Sequence, residues 1–282
     1  MIKKILLPMD FSEYSVKSLE LAGRIARFHN AELTALVVLD IPGIERSIGP
    51  IPAGAEFYAR KLEKARIDEA QQRINDLIAR FKSYCDENGI RHAEHHTQGI
   101  PSGQILEESK FFDLLVIGLR TYYRFGREDS PGDTFDEILD HSITPVLAVP
   151  KQFHAEAFSE RPIRAVLAFD SSLPACRAMQ RFAQLAVHGF VDLKIVMSHE
   201  DTLVARHNLE SARSYMQAHF MDNIEIIHTT ENIIKVINNQ HIEWADIIAL
   251  GAHTKKGILD FMVGSLTRFL IQEERTAIFI GQ

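Results

Sequence analysis

Ala165-Val166-Leu167-Ala168-Phe169-Asp170 repeats, at an offset of 160, the run Ile5-Leu6-Leu7-Pro8-Met9-Asp10. Each copy is a short, continuous apolar stretch closed by an aspartate, with a serine two residues further on at Ser172 and Ser12. Such a run reads as a strand buried on both faces, and the aspartate and serine read as the start of a helix. Leu33 to Val38 returns as Leu193 to Ser198 at the same offset of 160, and Gly132 to Pro145 has the spacing of Gly264 to Ala277. Elements that recur in register mean one supersecondary plan used twice.

In the first copy, helical periodicity follows Ser12 through Val16, Leu19, Ala22, Ile25 and Ala26. After the strand Leu33 to Leu39, the stretch Ile41 to Glu56 holds Pro42, Gly43, Gly49, Pro50, Pro52 and Gly54, and is expected to be a long irregular loop. That loop would be mobile without ligand, open to proteolysis before the linker, and placed to cover the first-copy site. Phe57 to Asn88 is one long amphipathic helix. Strand Ala93 to Thr97, helix Pro101 to Ser109, strand Leu114 to Ile117, helix Thr134 to His141 and strand Val146 to Val149 complete the copy. The second copy shows helix Leu203 to Phe220, strand Ile224 to Ile227, helix Ile233 to Asn239 and strand Ile247 to Leu250, and ends on strand Ala277 to Ile280.

The alternation predicts an α/β fold: two repeated five-stranded parallel-sheet domains with helices on both faces. Their expected limits are residues 1–150 and 162–282, joined by the polar linker 151–161 between Pro150 and Pro162. Each copy ends in an apolar strand with an open edge. Pairing those two edges would protect both and make an intramolecular pseudo-dimer, leaving further self-association to other surfaces.

Composition narrows the function. A formal net charge of −7 without a basic tract argues against nucleic acid as a partner. No apolar run reaches membrane-spanning length and no signal peptide is visible, so a cytoplasmic location without membrane association is expected. Cys85 and Cys176 lack metal or disulfide spacing and read as plain thiols. Adjacent strand residues point to opposite faces, so His92, His95 and His96 are expected as solvated or edge side chains rather than one metal site. His199, His207, His219 and His228 are scattered. No Walker sequence, dinucleotide fingerprint, nucleophile elbow or general base can be named, so no catalytic residue is assigned. Ser171 and Ser172 read as helix-start hydroxyls.

Gly251 to Ser265 reads in two ways: as an ordinary strand-to-helix loop, or as a phosphate cradle. In the second reading Gly251 relieves the backbone on leaving the strand, Lys255 and Lys256 add positive charge, Gly264 allows close approach, and Ser265 caps the next helix. With the Asp10/Ser12 and Asp170/Ser172 openings, the Gly-x-His-x-Lys-x-Gly start at Gly251 and the Gly251…Gly264-Ser265 spacing, the chain resembles the universal stress protein family in its tandem form. The resemblance spans essentially the whole sequence. It departs at Thr254, where the family pattern has a second glycine.

The resemblance implies an adenine nucleotide alpha hydrolase-like, Rossmann-like domain that in some members binds ATP or AMP, with Mg2+ if ATP. It places Asp170 near the adenosine, with the alternative that this carboxylate merely starts a helix. Ser198 would offer main-chain contact to the base. Gly251, Thr254 and Lys255 would line the phosphates, and Gly264 and Ser265 would cap them. The first-copy counterparts are Asp10, Val38, Gly118, Thr121, Gly132 and Asp133. They form a degenerate site, because a carboxylate at Asp133 repels a triphosphate unless a metal intervenes. The resulting expectation is a nucleotide-binding, stress-response regulatory module, in which slow ATP hydrolysis stays open. The alternative is a nucleotide-free tandem scaffold for a protein or another small ligand.

Overall fold

The computed structural model describes residues 1–120, 134–153, 161–186, 191–219, 222–252 and 264–282. The first half runs β1 (Lys4–Pro8), α1 (Glu13–His29), β2 (Glu32–Leu39), α2 (Ile41–Ile48), α3 (Glu56–Glu87), β3 (His92–Gln98), α4 (Pro101–Ser109), β4 (Leu114–Gly118), α5 (Thr134–His141) and β5 (Val146–Val149). The second runs β6 (Ile163–Ala168), α6 (Leu173–Leu185), β7 (Val191–Ser198), α7 (Thr202–Ala218), β8 (Ile224–Thr229), α8 (Ile233–Val236), β9 (Ile247–Gly251), α9 (Ser265–Glu273) and β10 (Ala277–Gly281). A π-helical turn, Ile237–His241, extends α8.

All strands join one ten-stranded sheet in the order β3-β2-β1-β4-β5-β10-β9-β6-β7-β8. Every neighbouring pair is parallel except β5 and β10, which run antiparallel with Ile278 opposite Ala148, Phe279 opposite Leu147 and Ile280 opposite Val146. The two terminal edges therefore protect each other, as the repeat predicts, and the halves are related by a pseudo-twofold axis between them.

Successive strand residues feed opposite cores, which is why the central strands are apolar throughout. Ile5, Leu7, Leu33, Ala35 and Val37 lie on one face under α1 (Leu19, Ile25) and α3 (Ile74, Phe81), in a core that continues across the sheet to Phe182 of α6 and Leu209 of α7. Leu6, Leu36, Leu115 and Ile117 face the other side with Ile105 of α4 and Ile138 of α5, in a core that continues to Val236 of α8 and Leu270 of α9. The outer strands β3 and β8 have one neighbour each among the described residues, and all their side chains are half-buried or exposed. His92 is half-buried and His95 and His96 are exposed on β3, in line with the edge reading.

One expectation fails. Residues 41–48 are not loop but α2, because Asp40 caps the helix by accepting from the Gly43 amide at 2.9 Å and Pro42 stands in its first turn. A proline there fixes a helical φ and gives up an amide that would have no partner anyway. Ile44 anchors the helix in the core. Only the segment from Gly49 to Ala55, with positive φ at Gly49 and Gly54, stays outside regular structure.

Candidate functional site

In each half the first strand has the second strand on one side and the fourth on the other, so the chain reverses its direction of travel there. Open α/β sheets hold ligands at the carboxyl ends of the strands flanking such a switch point. In the second half this crevice lies beyond Ala168 of β6 and Gly251 of β9. It is a cleft of about 270 Å³ lined by Asp170, Ser198, Gly251, Gly264 and Ser265 together with Ala168, Phe169, Ala175, Asn232, Ile233, Leu250, Leu266 and Thr267. The structure thus gathers into one cleft every described residue proposed for the second-copy site. Thr254 and Lys255 lie outside the described residues.

Asp170 is exposed at the cleft. Its Oδ1 accepts from the Ser172 amide at 3.0 Å, and Oδ2 has no hydrogen-bond partner among the described residues. Ser172 is the N-cap of α6, its Oγ accepting from the Ala175 amide at 3.3 Å. Ser171 takes a left-handed φ of 59° and receives the Asn208 carboxamide at 3.3 Å, so it is a turn residue and not a cap. Ser198 donates to the Glu231 carbonyl at 2.6 Å, tying the end of β7 to the turn in which Asn232 caps α8 through the Ile234 amide.

Two roles assigned from sequence need correcting. Gly251 lies within β9 without positive φ, so it does not serve as a conformational exit. It is needed because α6 passes too close: a Cβ there would stand 2.3 Å from the Pro174 carbonyl carbon and 2.6 Å from the Ala175 nitrogen. Ser265 is the first residue of α9 rather than its cap, which is Gly264 with extended backbone. The first-turn amides of α9, at Ser265, Leu266 and Thr267, border the cleft with no acceptor inside the helix. They carry the positive end of its dipole.

The first-half counterparts differ. Asp10 is buried at 4% exposure, and its Oδ1 accepts from the Ser12 amide, the Ser12 hydroxyl and, at 2.6 Å, the Ser15 hydroxyl. Its charge is spent internally, whereas that of Asp170 faces outward. Val38 is buried in β2, and Gly118 closes β4 where a Cβ would lie 2.6 Å from Cβ of Tyr14. Thr121, Gly132 and Asp133 lie outside the described residues.

The sequence left Asn232, Ile233, Thr267, Phe169 and Ala175 unassigned to the site. Asparagine before Ile233-Ile234 is a visible cap signal. What it could not show is that the crossover from β8 to β9 carries α8 across the mouth of a cleft formed by other strands. Chemically the cleft offers an outward carboxylate, helix amides and apolar walls. The half-buried Cys176 thiol, near Asp170, is pushed above its ordinary pKa by burial and by that carboxylate, so it is a poor source of thiolate. Among the described residues no group of three or more His, Cys, Asp or Glu could hold a metal ion.

Fold and cleft together define a tandem, doubly wound α/β protein with a crevice at the switch point of its second half. The profile of the universal stress protein family matches residues 1–150, more than half of the chain, and the protein belongs to that family. Among relatives, universal stress protein MJ0531 of Methanocaldococcus jannaschii is 28% identical over 152 residues, covering 53% of this chain and 82% of that one. Universal stress protein Rv2319c of Mycobacterium tuberculosis is 24% identical over 183 residues, covering 64% and 58%. The whole fold is similar to a universal stress protein from Archaeoglobus fulgidus, with a TM-score of 0.69 at 19% identity and coverage of 99% and 98%. A functionally unknown protein from Pseudomonas aeruginosa aligns with a TM-score of 0.59 at 14% identity, covering 99% and 92%. No helix among the described residues is long and apolar enough to cross a membrane.

Proposed function

We propose that this protein is a cytoplasmic stress-response module that binds an adenine nucleotide, AMP or ATP, in the second-half cleft. The observation that carries the reading is convergence: Asp170, Ser198, Gly251, Gly264 and Ser265, drawn from four separate segments, line one crevice at the switch point. The cleft's 270 Å³ lies just below the range of roughly 300–1,000 Å³ usual for small-molecule sites, which suits a nucleoside with its phosphates directed outward past Gly264. Asp170 Oδ2 is placed to accept from ribose hydroxyls. The α9 amides and dipole receive the phosphate oxygens, and Ile233 and Leu250 flank the base. Mg2+ would accompany ATP through the phosphates. Asp10, engaged by its own serines, supports binding in the second half rather than the first.

Titration calorimetry of the full chain with AMP and ATP tests this. Ser265→Asp sets a carboxylate beside the phosphates. Even at the solvent-screened value of about 1 kcal/mol per charge pair at 4 Å, repulsion by a multiply charged phosphate weakens binding on the order of tenfold or more. Asp170→Ala should also weaken it. Unchanged affinity in both variants would reject the cleft as the site.

A second reading, a nucleotide-free scaffold, is favoured by one feature. Phe57 and Tyr58 are each 72% exposed at the start of α3, beside the exposed Ile51 and Leu62. Wild-type protein that shows no heat with either nucleotide would leave this reading standing.

A further inference from the structure

The pseudo-twofold axis that exchanges β5 with β10 also exchanges α1 with α6, and the turn after α5 with the turn after α9. The molecule therefore has two equivalent grooves, each between a helix of one half and the end of the other. In the first, Glu274 at the C-terminus of α9 accepts from the Tyr14 hydroxyl at 2.7 Å and pairs with Arg120, while Lys17 and Glu20 of α1 pair with each other at 2.9 Å. That groove neutralises its own charges.

The second groove does not. It is built on Arg177, Gln180, Arg181 and Gln184, which share one face of α6, and faces Ser142, Ile143 and Gln282 across about 550 Å³. At the offset of 160, Arg177 stands for Lys17 and Gln180 for Glu20, so the acid is replaced by an amide. The turn that supplies Glu274 on one side supplies Ser142 on the other, whose hydroxyl is engaged with Thr144. Among the described residues no aspartate or glutamate lines this groove, and neither arginine has an ion pair or hydrogen bond. In a chain of net charge −7 this is a local positive site.

We infer that this groove binds a small phosphate ester. Two guanidinium forks one helical turn apart, with Cβ atoms roughly 5–6 Å from each other, can close on a single phosphate. A bare phosphate would use those forks and leave the rest of the space and three carboxamides idle. Gln180, Gln184 and Gln282 offer both donors and acceptors, which match the hydroxyls of the alcohol to which the phosphate is esterified. Gln282 is held by its Nε2 on the Leu139 carbonyl at 3.0 Å, which leaves its Oε1 as an acceptor. Ile143, 67% exposed, supplies an apolar wall. The volume lies within the roughly 300–1,000 Å³ usual for small-molecule sites, which selects a small ligand over a macromolecular surface.

Calorimetric titration with ribose 5-phosphate at low ionic strength, beside ribose and inorganic phosphate, tests the assignment on the full chain. Ser265→Asp, which sets a carboxylate in the nucleotide cleft, should still bind ribose 5-phosphate at a saturable site as wild type does, so this result does not depend on that cleft. Arg177→Gln/Arg181→Gln should bind at least tenfold more weakly. Gln180→Glu, which copies the first groove's internal pairing, should also weaken binding while keeping both arginines. Arg177, Gln180 and Arg181 are exposed on α6, and unchanged melting curves confirm that the variants fold. An arginine double variant that binds like wild type, no saturable binding by wild type, or ribose binding as tightly as its phosphate overturns the proposal. Inorganic phosphate binding more weakly than the ester supports a role for the carboxamides, and equal binding overturns the assignment to an ester.

Discussion

Gly251 has no room for a side chain, because the atoms in the way belong to the backbone of α6 at Pro174 and Ala175. Gly251→Ala should lower stability by about 1–3 kcal/mol, the usual cost of overpacking, and should widen the cleft it borders. Urea unfolding of the variant beside wild type measures the first effect. His241 offers a second residue-scale test. It is 4% exposed in the π-helical turn, neither ring nitrogen has a partner among the described residues, and burial, aided by Lys194, lowers its pKa below 6.5 against an opposing effect of Glu225. The folded state therefore resists protonation while the unfolded chain accepts a proton near pH 6.5. Its contribution to stability is complete above that pH and is lost as pH falls from there through the lower folded value. His29, also lowered by burial despite its bond to the Leu185 carbonyl, acts in the same direction. His241→Leu should flatten the dependence of the urea midpoint on pH between about 7 and 5; an unchanged slope would remove His241 from the explanation. At this scale the repeat made Asp170 legible, since its partner is Asp10. The contrast between them was not, because it depends on Ser15 folding back onto Asp10, and the second half has Ala175 at that position.

The first turn of α2 explains how a stretch with six prolines and glycines still begins as a helix. Residues were read there as breakers by type, although Pro42 breaks a helix only beyond its first turn. What decided the matter was Asp40 immediately before it, a cap whose meaning depends on where the helix starts. Asp40→Ala should cost about 1 kcal/mol, and amide exchange across residues 41–48 should accelerate more than in α1. Limited proteolysis should correspondingly cut between Gly49 and Ala55 and spare 41–48. Helices with regular apolar spacing, such as α3, α4 and α5, were readable almost to their ends. The end of the helix starting at Ile233 was not, because the change from α8 to a π-helical turn leaves the apolar spacing of a single turn nearly unaltered.

Across the whole molecule the decisive contact is the antiparallel seam of β5 and β10, and it was legible because two equal apolar strands with open edges need the same protection. Residues 1–150 and 162–282 made as separate chains should each self-associate through the bared strand, and when mixed should sediment as a one-to-one complex. Failure of the mixed halves to combine would show that covalent linkage, not the seam, holds them. The antiparallel step has a further result. Since strands on its two sides run in opposite directions, the two switch-point crevices open at opposite ends of the sheet. In an assembly of two identical chains every inherited change is imposed on both ends at once. A single chain carrying both halves is free of that constraint: one end could acquire a carboxylate at Asp133 and a buried Asp10 while the other kept Ser265 and an outward Asp170, so duplication followed by fusion converts a symmetric object into one with two distinguishable poles.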